Sequence, residues 1–193
     1  MKNNNKKTIA VIGDGQIEKN SFKYKLAFDT GKAIIDNGYR IQSGGMGGVM
    51  LAAFEGAKAS SNYRDGDTIA IVPTFDKNDA NEYADIIIPT GLDIMRNAIV
   101  VNADAVVAIG GGAGTLSEMA IAWSLFKLLI AYDNVDGWSK ELAGRKIDDR
   151  IRYDNLDDAV YAVESPDEVI DLLKKYINMY SRSHHGIRSR SKL

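Results

Sequence analysis

The nine residues Gly110 to Glu118, GGGAGTLSE, follow the apolar run Ala105 to Ile109 and lead directly into a helical pattern. Consecutive glycines between a strand and a helix bare backbone N–H groups at the positive end of a helix dipole, where they can hold a phosphate. Gly111, Gly112, Ala113, Gly114 and Thr115 are therefore candidate phosphate-binding residues. Two more glycine turns also follow apolar runs, with Gly13 and Gly15 in the first and Ser43, Gly44, Gly45 and Gly47 in the second. None is the dinucleotide fingerprint, because Gly13-Asp14-Gly15-Gln16-Ile17-Glu18 lacks the third glycine and no clear acidic ribose ligand follows about 20 residues on. No GKS or GKT closes any loop, which excludes a P-loop ATPase.

These turns must be held by strands. The pattern predicts strands over Thr8 to Ile12, Tyr39 to Ser43, Thr68 to Val72, Asp85 to Ile88, Ala105 to Ile109, Leu128 to Tyr132 and Ala159 to Val163. Helices are expected over Glu18 to Asn37, Val49 to Ala59, Asp93 to Asn102, Thr115 to Lys127 and from the Ser165-Pro166-Asp167-Glu168 start to about Tyr180. Strands apolar on both faces that alternate with helices specify an α/β fold: a single doubly wound, Rossmann-like parallel sheet flanked by helices. In such sheets ligands sit beyond the carboxyl ends of the strands, so the three glycine turns can line one crevice.

Composition narrows the function classes. The chain has 193 residues, no cysteine and only two histidines, His184 and His185, both in a polar end segment. No thiolate site, disulfide framework or metal centre is expected, nor any cofactor. No segment reaches the roughly 18 to 20 apolar residues that span a bilayer, and MKNNNKK lacks a signal-peptide core, so a cytoplasmic protein without membrane contact is expected. Of 24 basic residues against 26 acidic ones, four lie in Ser181 to Leu193, where there is no acid. The body is acidic, which argues against nucleic acid as a partner. Residues 1–180 read as one domain and 181–193 as a basic, disordered tail; its Ser-Lys-Leu end is too short a match to assign an organelle.

SGGMGGVMLAAFEGA (Ser43 to Ala57), GGGAGTLSEMAIAW (Gly110 to Trp123) and NVDGW (Asn134 to Trp138) together resemble the LOG (LONELY GUY) family, long described as possible lysine decarboxylases. The resemblance runs from about Thr8 to Tyr176. It implies cleavage of the N-glycosidic bond of a nucleoside 5′-monophosphate to base and ribose 5-phosphate, with Glu118 and Arg96 as catalytic residues. Glu118 would stabilise the oxocarbenium-like charge, and Arg96 would clamp phosphate or departing base. Gly110 stands where the family has proline and Asn97 where it has lysine. These departures are similar to a divergent branch, the family-1 conserved proteins and molybdenum-cofactor carrier proteins, which bind a phosphorylated pterin without hydrolysing it. The resemblance also implies a homo-oligomer, a dimer or larger. Decarboxylation itself is not expected, since no lysine stands in a setting for pyridoxal phosphate.

Each residue also has a plainer explanation. Thr115-Leu116-Ser117-Glu118 satisfies a capping box, in which Thr115 accepts from the N–H of Glu118 and Glu118 accepts from that of Thr115. Arg96, three residues after Asp93, could form a helix-surface ion pair, and Asp14 fits a turn former. The apolar residues from Leu116 to Phe126 wrap the helix nearly all round, so it is expected to be buried inside the domain or against a second copy.

Overall fold

The computed structural model describes residues 6–182. Seven strands form one parallel sheet: β1 (Thr8–Gly13), β2 (Arg40–Ser43), β3 (Thr68–Val72), β4 (Ile86–Pro89), β5 (Ala105–Ile109), β6 (Leu128–Tyr132) and β7 (Tyr161–Val163). Their order across the sheet is β4-β3-β2-β1-β5-β6-β7. β5 and β6 are buried at every position, as central strands covered on both faces must be. The α/β doubly wound reading therefore holds.

The helices are α1 (Phe22–Asp36), α2 (Val49–Lys58), α3 (Asn97–Val100), α4 (Ala113–Ser124), α5 (Trp138–Leu142) and α6 (Pro166–Tyr176). Residues from α1, α2 and α6, including Leu26, Ile34, Phe54 and Leu173, form one core cluster with one face of the sheet. Val100, Met119, Ala122 and Trp123 form a second cluster with Ile12, Ile71 and Leu129 on the other face. A helix–sheet–helix sandwich results.

Several boundaries depart from the expected ones for local reasons. α1 starts four residues late because Ser21, in extended conformation, accepts from the Tyr24 N–H and caps the helix there. The expected helix over Asp93 to Asn102 is a 3-10 turn, Asp93–Arg96, followed by the single turn α3; Asp93 has a left-handed φ of 48° that no α-helix accepts. α5 is a short helix that was not among the expected ones. Ser165 caps α6 at its Glu168 N–H, but Glu168 reaches the Glu164 N–H rather than that of Ser165, and the helix ends at Tyr176. On α4, Met119, Ala122 and Trp123 are buried while Leu116, Ala120, Ile121 and Leu125 are half-buried, so full burial is replaced by one core-facing side. Of the tail that was expected to be disordered, Ser181 and Arg182 are described, and Arg182 donates to the Arg152 carbonyl at 2.9 Å; the rest lies outside the described residues. Among the described residues no helix is long and apolar enough to cross a membrane.

The end of the sandwich is locked by a buried cation. Arg152, 2% exposed, makes a bidentate pair with Asp158 at 2.7 and 2.6 Å and donates to the carbonyls of Trp123 and Lys127. Its guanidinium carbon lies 3.6 Å from the centroid of the Trp123 ring, and Tyr180 donates to Asp158 at 2.6 Å. Replacing one partner leaves the other charge buried, so Arg152→Met should cost about 3–5 kcal/mol in urea denaturation. The exposed pair Lys25–Asp29 should cost less than about 1 kcal/mol when cut by Lys25→Ala, and similar losses from the two changes would contradict this account.

Candidate functional site

The chain order reverses between β1 and β5, which pair in register from Ile9–Ala105 to Gly13–Ile109. The loops leaving these two strands run to opposite faces and open a crevice at the carboxyl ends, the usual ligand position in such sheets. A cavity of about 200 Å³ lies there, lined by Gly13, Asp14, Gly15, Met50, Arg96, Asn97, Gly112, Gly114, Thr115 and Glu118. A larger hollow of about 580 Å³, lined by Lys6, Tyr39 and Tyr63 among others, lies at the opposite end, beside the residues that precede β1 and β2.

Gly112 is the N-cap of α4, and no side chain caps this helix. The expected capping box is therefore overturned: Thr115 lies inside the first turn and is buried, and Glu118 pairs with Arg96. With the helix beginning at Ala113, its first N–H groups have no intrahelical partners and lie at the crevice.

The glycines of the motif divide into two groups. Gly110 and Gly111 are engaged internally: the Ser139 hydroxyl accepts from the Gly110 N–H, Ser139 N–H donates back to the Gly110 carbonyl, and Trp138 N–H donates to that of Gly111. The NVDGW turn thus braces the glycine loop. Asp14 accepts from the Gly111 N–H at 3.0 Å and from Lys23 at 2.6 Å, so it ties the two loops together rather than merely forming a turn. Gly15, Gly112 and Gly114 differ. None has positive φ, and a Cβ on any of them would meet nothing within 4 Å. Neither backbone strain nor internal packing requires glycine at these three positions, which all line the crevice.

Other candidates are placed less directly. Ser43 is fully buried and accepts from the Gly45 N–H at 3.0 Å, which shapes the second loop. Gly44 passes under Arg96, where a Cβ would come within 2.6 Å of Nη2. A Cβ on Gly45 would strike Ala70, and one on Gly47 would strike the Gly15 carbonyl, so this loop supports the crevice from outside its lining. Ala113 is exposed and does not line the crevice.

Arg96 and Glu118 form a pair 3.1 Å apart, 9% and 7% exposed. The surface pair with Asp93 is thereby excluded. Arg96 Nη1 also donates to Asn97 Oδ1 at 2.7 Å, and Asn97 donates to Ser117 at 2.8 Å, which joins α3 to α4. Arg96 Nε is buried without a hydrogen-bond partner among the described residues. This donor belongs to a side chain that lines the crevice. Burial pushes the Glu118 carboxyl up to about 7, against the opposing pull of Arg96. Sequence reasoning missed Asn97, Ser117 and Lys23 as organisers of the site, because Lys23 meets Asp14 nine residues away and Asn97 meets Ser117 twenty residues away on other elements, which leaves no local spacing signal.

Residues 6–170 match the family model of the SLOG cluster4 family. The chain belongs to that family. It is 41% identical over 115 residues, 59% of this chain and 72% of the relative, to an uncharacterized protein of Archaeoglobus fulgidus. Among solved structures it is similar to the molybdenum cofactor binding protein from Rippkaea orientalis, at 35% identity and a TM-score of 0.73, over 90% of this chain and 98% of that one. It is also similar to the molybdenum cofactor carrier protein from Chlamydomonas reinhardtii, at 25% identity and a TM-score of 0.71, over 90% and 99%.

The raised Glu118 pKa gives a pH signature. The unfolded chain releases this proton near 4.5 and the folded protein near 7. Stability is then full below about pH 4.5 and falls as pH rises to 7, by up to about 3 kcal/mol from this group. Denaturation measured across that window should show the decline in the wild type and a flatter profile in Glu118→Gln; parallel profiles would refute the assignment.

Proposed function

We propose that this protein binds the phosphate of a small phosphorylated ligand at the start of α4 and carries or senses that ligand without cleaving it. The observation that supports this most strongly is the group formed by Gly15, Gly112 and Gly114, three glycines around one crevice with no internal need to be glycine. Absence of a side chain there makes room for close backbone approach by a ligand. The uncapped N–H groups favour an anion, and the partnerless Nε of the buried Arg96 supplies a further donor. Likeness to molybdenum cofactor binding and carrier proteins supports a cargo of the phosphorylated pterin kind over a nucleotide that is broken down.

A second reading has its own observation. Glu118 is buried beside the crevice with a pKa of about 7, a value suited to proton transfer near neutral pH. It would serve hydrolysis of a nucleoside 5′-monophosphate. Chromatography after incubation with AMP, GMP, CMP and UMP separates the two. Carriage predicts intact nucleotides; release of free base that is lost in Glu118→Gln would establish hydrolysis instead.

Binding and folding should respond oppositely to one substitution. Gly114→Ala removes a helix-destabilising glycine, so stability should be unchanged or rise by about 0.5–1 kcal/mol. The added methyl should nevertheless lower affinity for AMP or inorganic phosphate, followed by calorimetry, by tenfold or more, about 1.4 kcal/mol. Unchanged affinity would remove the α4 start from the site. Arg96→Lys should also lose at least tenfold, since a point charge cannot reproduce the planar fork, and equal binding would exclude Arg96.

A further inference from the structure

The crevice by itself is small for a whole ligand. Small-molecule sites measure about 300–1000 Å³, whereas the crevice holds about 200 Å³, room for a phosphate and the carbons next to it. A second hollow of about 380 Å³ opens beside it, between the chain from Ile17 to Lys23 that leads into α1 and the chain from Asn134 to Asp136 that follows β6. Lys23 lines this hollow and donates at 2.6 Å to Asp14, which lines the crevice. One ion pair thus divides the two spaces. Gly15, where a Cβ would meet nothing within 4 Å, lies on the short stretch between Asp14 and Ile17 and leaves that stretch bare.

We infer that this hollow takes a flat nitrogen heterocycle joined to the phosphate held at the start of α4, with Phe22 stacking on the ring and Glu18 accepting from its N–H edge. The inference rests on the phosphate site proposed above and names the class of group that the phosphate carries. Val135 is buried and Ile17 packs against the same core cluster, so the hollow has an aliphatic floor. Phe22, the first residue of α1, also lines it and is 61% exposed, which leaves an aromatic face open for an offset stack. Glu18 is exposed, and its carboxylate has no hydrogen bond or ion pair among the described residues. An aliphatic chain would leave those acceptors without donors, whereas the N–H groups of a heterocycle answer them. The walls are held in advance. Lys23 Nζ donates to the Asp136 carbonyl at 3.1 Å, and Asn134 donates to the Glu164 carbonyl at 2.7 Å, so little ordering is left for a ligand to impose.

Calorimetry on the full chain with ribose 5-phosphate, AMP, GMP and neopterin monophosphate tests this, because the first probe has phosphate and sugar but no heterocycle. At least one ring-bearing probe should bind tenfold or more tighter than ribose 5-phosphate. Phe22→Ala, at an exposed position, should erase most of that advantage and leave the affinity for ribose 5-phosphate unchanged, while Phe22→Tyr, which keeps an aromatic face, should retain it. Phe22→Trp should lose indole emission when that ring-bearing probe is added, beyond any change in the wild type, and keep it with ribose 5-phosphate. Ring-bearing probes that bind no tighter than ribose 5-phosphate, or a Phe22→Ala protein that keeps the full advantage, would overturn the ring site while the phosphate site stands. Binding of none of the four overturns the ring site as well, and inorganic phosphate then decides the phosphate site by itself.

Discussion

Parallel pairing of β1 with β5 is the constraint on which the site depends. These strands are 92 residues or more apart in sequence, yet their register brings Gly13 opposite Ile109 and sets the loops after them side by side. Because β1 leads into α1 on one face and β5 into α4 on the other, the two loops diverge and leave space between them. Asp14 holds that space at a fixed width by bonding to Lys23 and to the Gly111 N–H. Its carboxylate thereby satisfies the Gly111 N–H within the fold.

Within this frame, rigid and open backbone are separated over a few residues. Gly110 and Gly111 are fixed by Trp138 and Ser139, so the start of α4 is braced from behind by α5. Gly112 and Gly114 then face the crevice with no neighbour that a side chain would disturb. Positions held by many internal bonds cost little to order on binding, and a pre-set loop keeps more of its interaction energy as affinity.

The electrostatics of the crevice follow from burial. Arg96 and Glu118 are both nearly removed from water, and the cost of desolvating the carboxylate exceeds what one guanidinium contact returns, so Glu118 ionises near pH 7. Under the binding proposed above, a phosphate at the start of α4 would add negative charge beside Glu118 and so favour its protonated form. Asn97 steadies Arg96 from the side while fixing α3 to α4 through Ser117.

The sequence alone determined the fold class, the strand positions to within a residue or two, and the glycine motif at the end of β5, because these depend on periodicity and on runs of adjacent residues. It also singled out Arg96 and Glu118, through a family resemblance. Local spacing misled where it was asked about partners. The Thr115–Glu118 box fits a cap, but with Gly112 as the N-cap and the helix starting at Ala113, the Glu118 carboxylate finds Arg96, 22 residues away, instead of its own backbone. Asp14 reads as a turn former, yet its bonds to Gly111 and Lys23 exist only because β1 and β5 are neighbours. Likewise, Ile86 and Ile88 look like core residues in sequence, and only the strand order shows that β4 lies at the edge of the sheet, where both are exposed. Pairing between distant segments is set by how the whole sheet packs, and no window of sequence contains that information.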